Sequence, residues 1–127
     1  MKVLILGCGN IGSVAAEDLA NSMSSIKVVV ADKNEARARD VAEKIRKDNV
    51  SWIQLDVTNH NELVNALEDF DLAMGFLPGK LGYRLVRACI EARKDLVDVS
   101  YMPEKPPELN GEAVKANATI IPDCGLA

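Results

Sequence analysis

Val3 to Leu6 is a run of four apolar residues that breaks directly into Gly7-x-Gly9-x-x-Gly12, and an apolar pattern with helical spacing follows at once. The run is long enough for one buried strand. Strand, glycine turn and helix, in that order, make up the arrangement that a dinucleotide pyrophosphate requires. Gly7 permits a tight turn out of the strand, because without a Cβ it tolerates φ > 0. Gly9 lets the backbone approach phosphates where a side chain would collide, and Gly12 lets the new helix pack closely on its strand. The N–H groups of the first helical turn, near Asn10 and Ile11, then face the diphosphate.

A second apolar run, Val28 to Ala31, closes on Asp32, twenty residues after Gly12. That is the distance at which a carboxylate meets the adenosine ribose hydroxyls. Such a carboxylate accepts from both hydroxyls and repels a 2′-phosphate, which favours NAD over NADP. The same residue could instead serve as an N-terminal charge on the next helix. Lys33 and Arg37 keep NADP open, since a nearby cation can hold the extra phosphate.

The remaining pattern alternates strands and helices. Helices are expected over about 10–23, with Ile11, Val14, Ala15, Leu19 and Met23 inward, and over 34–47, with Ala38, Val41, Ala42 and Ile45 inward. Strands are expected over 27–31, 50–55, 70–76, 96–99 and 119–122. A helix starts near Thr58 or Asn59, where Asn59 and Glu62 resemble a capping box, and it buries Leu63, Val64 and Leu67. Another spans about 80–93 with Leu81, Leu85, Ala88, Cys89 and Ala92 on one side. Pro103, Pro106 and Pro107 mark a loop, and Pro107 opens a weaker helix to about Ala116. Six strands in this alternation imply an α/β fold of Rossmann type, a doubly wound parallel sheet in the order 3-2-1-4-5-6.

Ligands in such a sheet lie beyond the carboxyl ends of the strands. The tips there are Gly7–Gly12, Asp32, Asp56-Val57, Phe76-Leu77-Pro78-Gly79, Asp98–Tyr101 and Asp123–Gly125. Val57 could pack on an adenine ring while Asp56 accepts from its amino group, although an ordinary strand-to-helix turn explains both residues equally well. The apolar 76–79 tip suits the nicotinamide side of a cofactor or a plug under the next helix. Cys8 reads as a tolerated small residue between two glycines, Cys89 as core, and Cys124 as structural, with no histidine beside it in sequence. Tyr83 and Tyr101 lack a Tyr-x-x-x-Lys setting, so the catalytic residue is unassigned. Arg84, Arg87 and Arg93 read as a solvated helix face, and Trp52 as packing.

At 127 residues the chain is one domain by length. With 48% hydrophobic but only 4% aromatic residues, aliphatics and alanine must fill its core. Fifteen Lys+Arg against nineteen Asp+Glu leave a charge of −4, which argues against a nucleic-acid surface. No apolar run approaches the roughly 18 residues of a membrane span, and Met1-Lys2 leads into a strand rather than a signal sequence. Three widely spaced cysteines suit a reducing cytoplasm and offer no metal pattern, and the single histidine cannot form a ligand cluster.

V-L-I-L-G-C-G-N-I-G, V-V-V-A-D-K-N, Q-L-D-V-T-N, G-F-L-P-G, D-L-V-D-V-S-Y and I-I-P-D-C-G-L-A together resemble the N-terminal NAD(P)-binding domain of the saccharopine dehydrogenase-like family, over essentially the whole chain. The resemblance implies an amino-acid oxidoreductase of saccharopine or lysine dehydrogenase type, with a small amino acid as substrate and room for a homo-oligomer. It carries cofactor contacts onto Gly7, Gly9, Asn10, Ile11, Gly12, Asp32, Asp56, Val57 and residues 76–79. Lys33 joins them by position. Family members continue into a substrate domain, so residues 1–127 are expected to be a dinucleotide-binding piece of a longer enzyme. The competing function is a regulatory NAD sensor without catalysis.

Overall fold

A computed structural model describes residues 1–99 and 110–121. Its elements alternate as β1 (Lys2–Leu6), α1 (Asn10–Ser22), β2 (Lys27–Asp32), α2 (Glu35–Ile45), β3 (Val50–Gln54), α3 (His60–Leu67), β4 (Leu72–Gly75), α4 (Gly79–Ala92), β5 (Asp95–Asp98), α5 (Asn110–Ala116) and β6 (Ile120–Ile121). The six strands form one parallel sheet in the order β3-β2-β1-β4-β5-β6, the doubly wound topology expected from the sequence. The expected 107–109 start of the last helix and Pro122 at the end of the last strand lie outside the described residues.

Strand side chains alternate between two cores. Leu4, Leu6, Val29 and Ala31 join Leu63, Leu67, Leu85 and Ala88 on one face of the sheet. Val3, Ile5, Val28 and Val30 join Ala16, Ala20, Ala38 and Ala42 on the other. Residues 28–31 are therefore buried on both sides, which is why they read as an unbroken apolar run.

Two expectations need correction. In α1 the buried face is Gly12, Ala16 and Ala20, whereas Ile11, Val14 and Met23 are 68%, 66% and 50% exposed. The smallest side chains win the sheet-facing position because the helix must come close to β1, and the larger aliphatics are turned outward. β4 is also shorter than the expected 70–76 strand. The Phe70 N–H donates to the Leu67 carbonyl, so Phe70 closes α3 and packs in the first core instead of pairing.

Capping follows local chemistry. The Asn34 side chain accepts from the Arg37 N–H, and Asn59 accepts from the Glu62 N–H. The Asn59 N–H donates to the Asp56 carbonyl, which leaves the capping box half formed. At the far end of α4, Arg93 lies at φ 60°, ψ 45°. The Arg93 and Lys94 N–H groups reach back to the Ile90 and Cys89 carbonyls, a Schellman turn that normally places glycine at the left-handed residue. Arg93→Gly should therefore stabilise the chain by about 1 kcal/mol, seen as a melting temperature higher by roughly 4 °C. A lower melting temperature would show that the arginine side chain contributes more than its backbone strain costs.

Candidate functional site

The carboxyl ends of β1, β2, β3 and β4 enclose a cavity of about 650 Å³. Its walls include Gly7, Cys8 and Gly9 from the glycine turn, Asp32, Lys33 and Arg37 after β2, Asp56, Val57 and Thr58 after β3, and Phe76, Leu77 and Pro78 after β4. Lys80 and Leu81 of α4 complete it.

Each glycine of the turn meets a different steric demand. Gly7 sits at φ 99°, and a Cβ there would lie 2.6 Å from the Phe76 carbonyl oxygen. At Gly12 a Cβ would lie 2.0 Å from the Gly7 carbonyl oxygen, so helix and turn touch backbone to backbone. Around a Cβ at Gly9 there is nothing within 4 Å, and Gly9 has an ordinary extended conformation (φ −74°, ψ −169°). The fold itself thus needs the first and third glycines. The middle one faces open space, the condition for close approach of a ligand. Gly9 also starts α1 without a side-chain cap, and no acidic residue occupies the first turn. The positive end of that helix is left for an anion.

Asp32 ties two tips together. One of its carboxylate oxygens accepts from the Cys8 N–H at 3.0 Å and the other from the Asn34 N–H at 2.8 Å. The carboxylate is thereby oriented at the cavity wall while it braces the glycine turn. Cys8 was expected only to be tolerated, yet it is a wall residue and the donor that positions Asp32. A backbone N–H leaves no trace in the sequence, so nothing there signals this role. The Cys8 thiol lies 3.6 Å from the Ala31 carbonyl. Burial first, and then the Asp32 charge, push its pKa from 9.0 up to about 12, so it is a packing group rather than a nucleophile. Cys89 is fully buried in the core, and burial raises its thiol further still.

The Asp56 Oδ1 accepts from both the N–H and the hydroxyl of Thr58, at 3.0 and 2.6 Å. The hydroxyl bond is the larger cause that holds this carboxyl below its usual range. Asp56 is thus a turn residue that also lines the cavity. Phe76 and Leu77 combine their two readings as well, since they pack against opposite cores while lining the cavity. Asn10, Ile11, Gly12 and Gly79 are not among its walls; Gly12 is a packing residue and Gly79 begins α4. His60, read as a solvated helix start, begins α3 and also pairs with Glu91 of α4. Tyr101, Asp123 and Cys124 lie outside the described residues. Among those described, no group of His, Cys, Asp or Glu could hold a metal, and no helix is long and apolar enough to cross a membrane.

Residues 3–121 match the family described as the saccharopine dehydrogenase NADP binding domain. The chain belongs to this family. It is thus a Rossmann-type domain of a family that binds nicotinamide dinucleotides. It is 32% identical over 125 residues to the saccharopine dehydrogenase [NADP(+), L-glutamate-forming] of Saccharomyces cerevisiae, covering 98% of this chain and 27% of the yeast protein. The apo structure of the yeast L-Glu-forming enzyme superposes with a TM-score of 0.85 at 30% identity, over 98% of this chain and 27% of that one. Alpha-aminoadipic semialdehyde synthase of Arabidopsis thaliana is 27% identical over 143 residues, which cover 98% of this chain and 13% of the plant protein. The chain thus spans about a quarter of the yeast relative's length.

Proposed function

We propose that this domain holds NAD(H) for an amino-acid oxidoreductase of the saccharopine or lysine dehydrogenase type. The observation that carries the cofactor assignment is the Asp32 carboxylate, fixed at the cavity wall by the Cys8 and Asn34 N–H groups. A carboxylate so held accepts from ribose hydroxyls and opposes the charge of a 2′-phosphate. The names of the family and of the yeast relative specify NADP, and Lys33 and Arg37 share the cavity with Asp32. In this reading the two cations partly offset the acid without replacing it.

Gly9 and the first turn of α1 would receive the pyrophosphate, Asp32 the adenosine ribose, and Val57 with Asp56 the adenine. Phe76, Leu77 and Pro78 would flank the nicotinamide. Bound nicotinamide supplies the hydride acceptor for an amine-bearing carbon; the chain's own part is to bind and orient it. The substrate would be a small amino acid, its site formed with residues outside this domain. Calorimetric titration tests the assignment. NADH should bind about tenfold more tightly than NADPH, a difference near 1.4 kcal/mol. Equal affinities, or tighter NADPH, would overturn it.

A further inference from the structure

A second cavity, of about 280 Å³, is lined by His60 at the start of α3 and by Lys80, Tyr83, Arg84 and Arg87 of α4. No carboxylate lines it. Along α4, Lys80 and Arg84 are four residues apart and Arg84 and Arg87 three, so like charges neighbour one another on a single helical face. Helix α2 shows the opposite pattern, with Glu35 before Arg39 and Asp40 before Lys44. An ordinary solvated helix face would resemble α2.

The acids near this group are already engaged. Glu91, four residues after Arg87, pairs with His60. Asp56 feels the Arg84 charge, but its Oδ1 is bound to Thr58. Arg84 has a long 3.4 Å contact to the Thr58 carbonyl. α4 also begins at Gly79 on Pro78, which provides no side-chain cap, so the helix dipole adds to the same positive field. Arg side chains in such a group match the oxygens of a phosphate, and Tyr83 lines the same cavity.

We propose that this cavity is a phosphate site separate from the glycine turn, taking a phosphomonoester dianion. The cavity adjoins the larger one, with which it shares Lys80. The probe is inorganic phosphate, titrated at constant ionic strength into the 127-residue chain and followed by NMR. The amides of residues 79–87 and the Nε–H signals of Arg84 and Arg87 should shift saturably, with a Kd of about 1–10 mM. Arg84→Gln combined with Arg87→Gln should weaken this at least about tenfold with the amide spectrum otherwise preserved, because both side chains are exposed. Gly9→Val should leave it intact. Phosphate shifts that persist under saturating NAD+ and NADP+ identify a free phosphate as the ligand. Loss with NADP+ but not with NAD+ would put the 2′-phosphate here rather than beside Lys33 and Arg37, and would overturn a separate site. The proposal is overturned by absence of a saturable shift or by an unchanged titration in the double variant. Equal displacement by NAD+ would also overturn it, since the phosphate would then lie in the glycine turn.

Discussion

Gly9→Val should abolish dinucleotide binding, with affinity down more than about 100-fold, while the apo domain melts within a few degrees of the parent. The valine Cβ enters space with no atom within 4 Å, on backbone that any residue can adopt. The cost to folding is then only that of a poor helix-capping residue, about 1 kcal/mol. A pyrophosphate needs that same space, and its loss removes the close approach on which N–H contacts depend. Gly12→Ala should do the reverse. Its Cβ would fall 2.0 Å from the Gly7 carbonyl oxygen, and neither backbone can yield without disturbing α1 or β1. We expect a loss of about 3 kcal/mol or more, measured by denaturant titration, and a melting temperature lower by more than roughly 10 °C. If Gly9→Val unfolds the domain, or binds as the parent does, the phosphate role of the middle glycine is lost.

Asp32→Ala should have two effects that separate cleanly. NADH affinity should fall about 10- to 100-fold through loss of charge-assisted bonds to the ribose. NADPH affinity should fall less or rise, because a 2′-phosphate would meet Lys33 and Arg37 without the opposing carboxylate. The gap between the cofactors should therefore close. The domain should also lose about 1–3 kcal/mol of stability, since the Cys8 and Asn34 N–H groups lose their acceptor. Asp32→Asn keeps an acceptor oxygen and should recover part of that stability without restoring discrimination. If both variants keep the full preference for NADH, the selectivity lies elsewhere.

The elements visible in the sequence were those whose burial is symmetrical or whose backbone has one solution. Val28 to Ala31 is buried on both faces and could only be an inner strand. Gly7, at φ 99° against the Phe76 carbonyl, admits little else. In α1 hydrophobic size is a poor guide to burial. Close packing of helix on strand instead selects Gly12, Ala16 and Ala20. Cys8 as the partner of Asp32, Lys80 and Leu81 as cavity walls, and His60 with Glu91 were not legible, because each depends on two elements meeting in space. The tip residues of β2, β3 and β4 were legible because strand ends in a parallel sheet converge on one edge.

β1 pairs with β2 on one side and β4 on the other, and no other strand links those two. Residues 2–6 are thus the keystone of the sheet. They must wait unpaired on one side until residues 72–75 have been synthesised. An early partner is at hand in β2, so β1, β2 and β3 can form a provisional ribbon whose exposed edge is β1 itself. Such an edge invites pairing with another nascent chain. For the finished domain, clipping within residues 2–6 would cut the strand between β2 and β4. It would part the sheet into a β3-β2 ribbon and a β4-β5-β6 ribbon, each with one face of its core still wanting the strand between them.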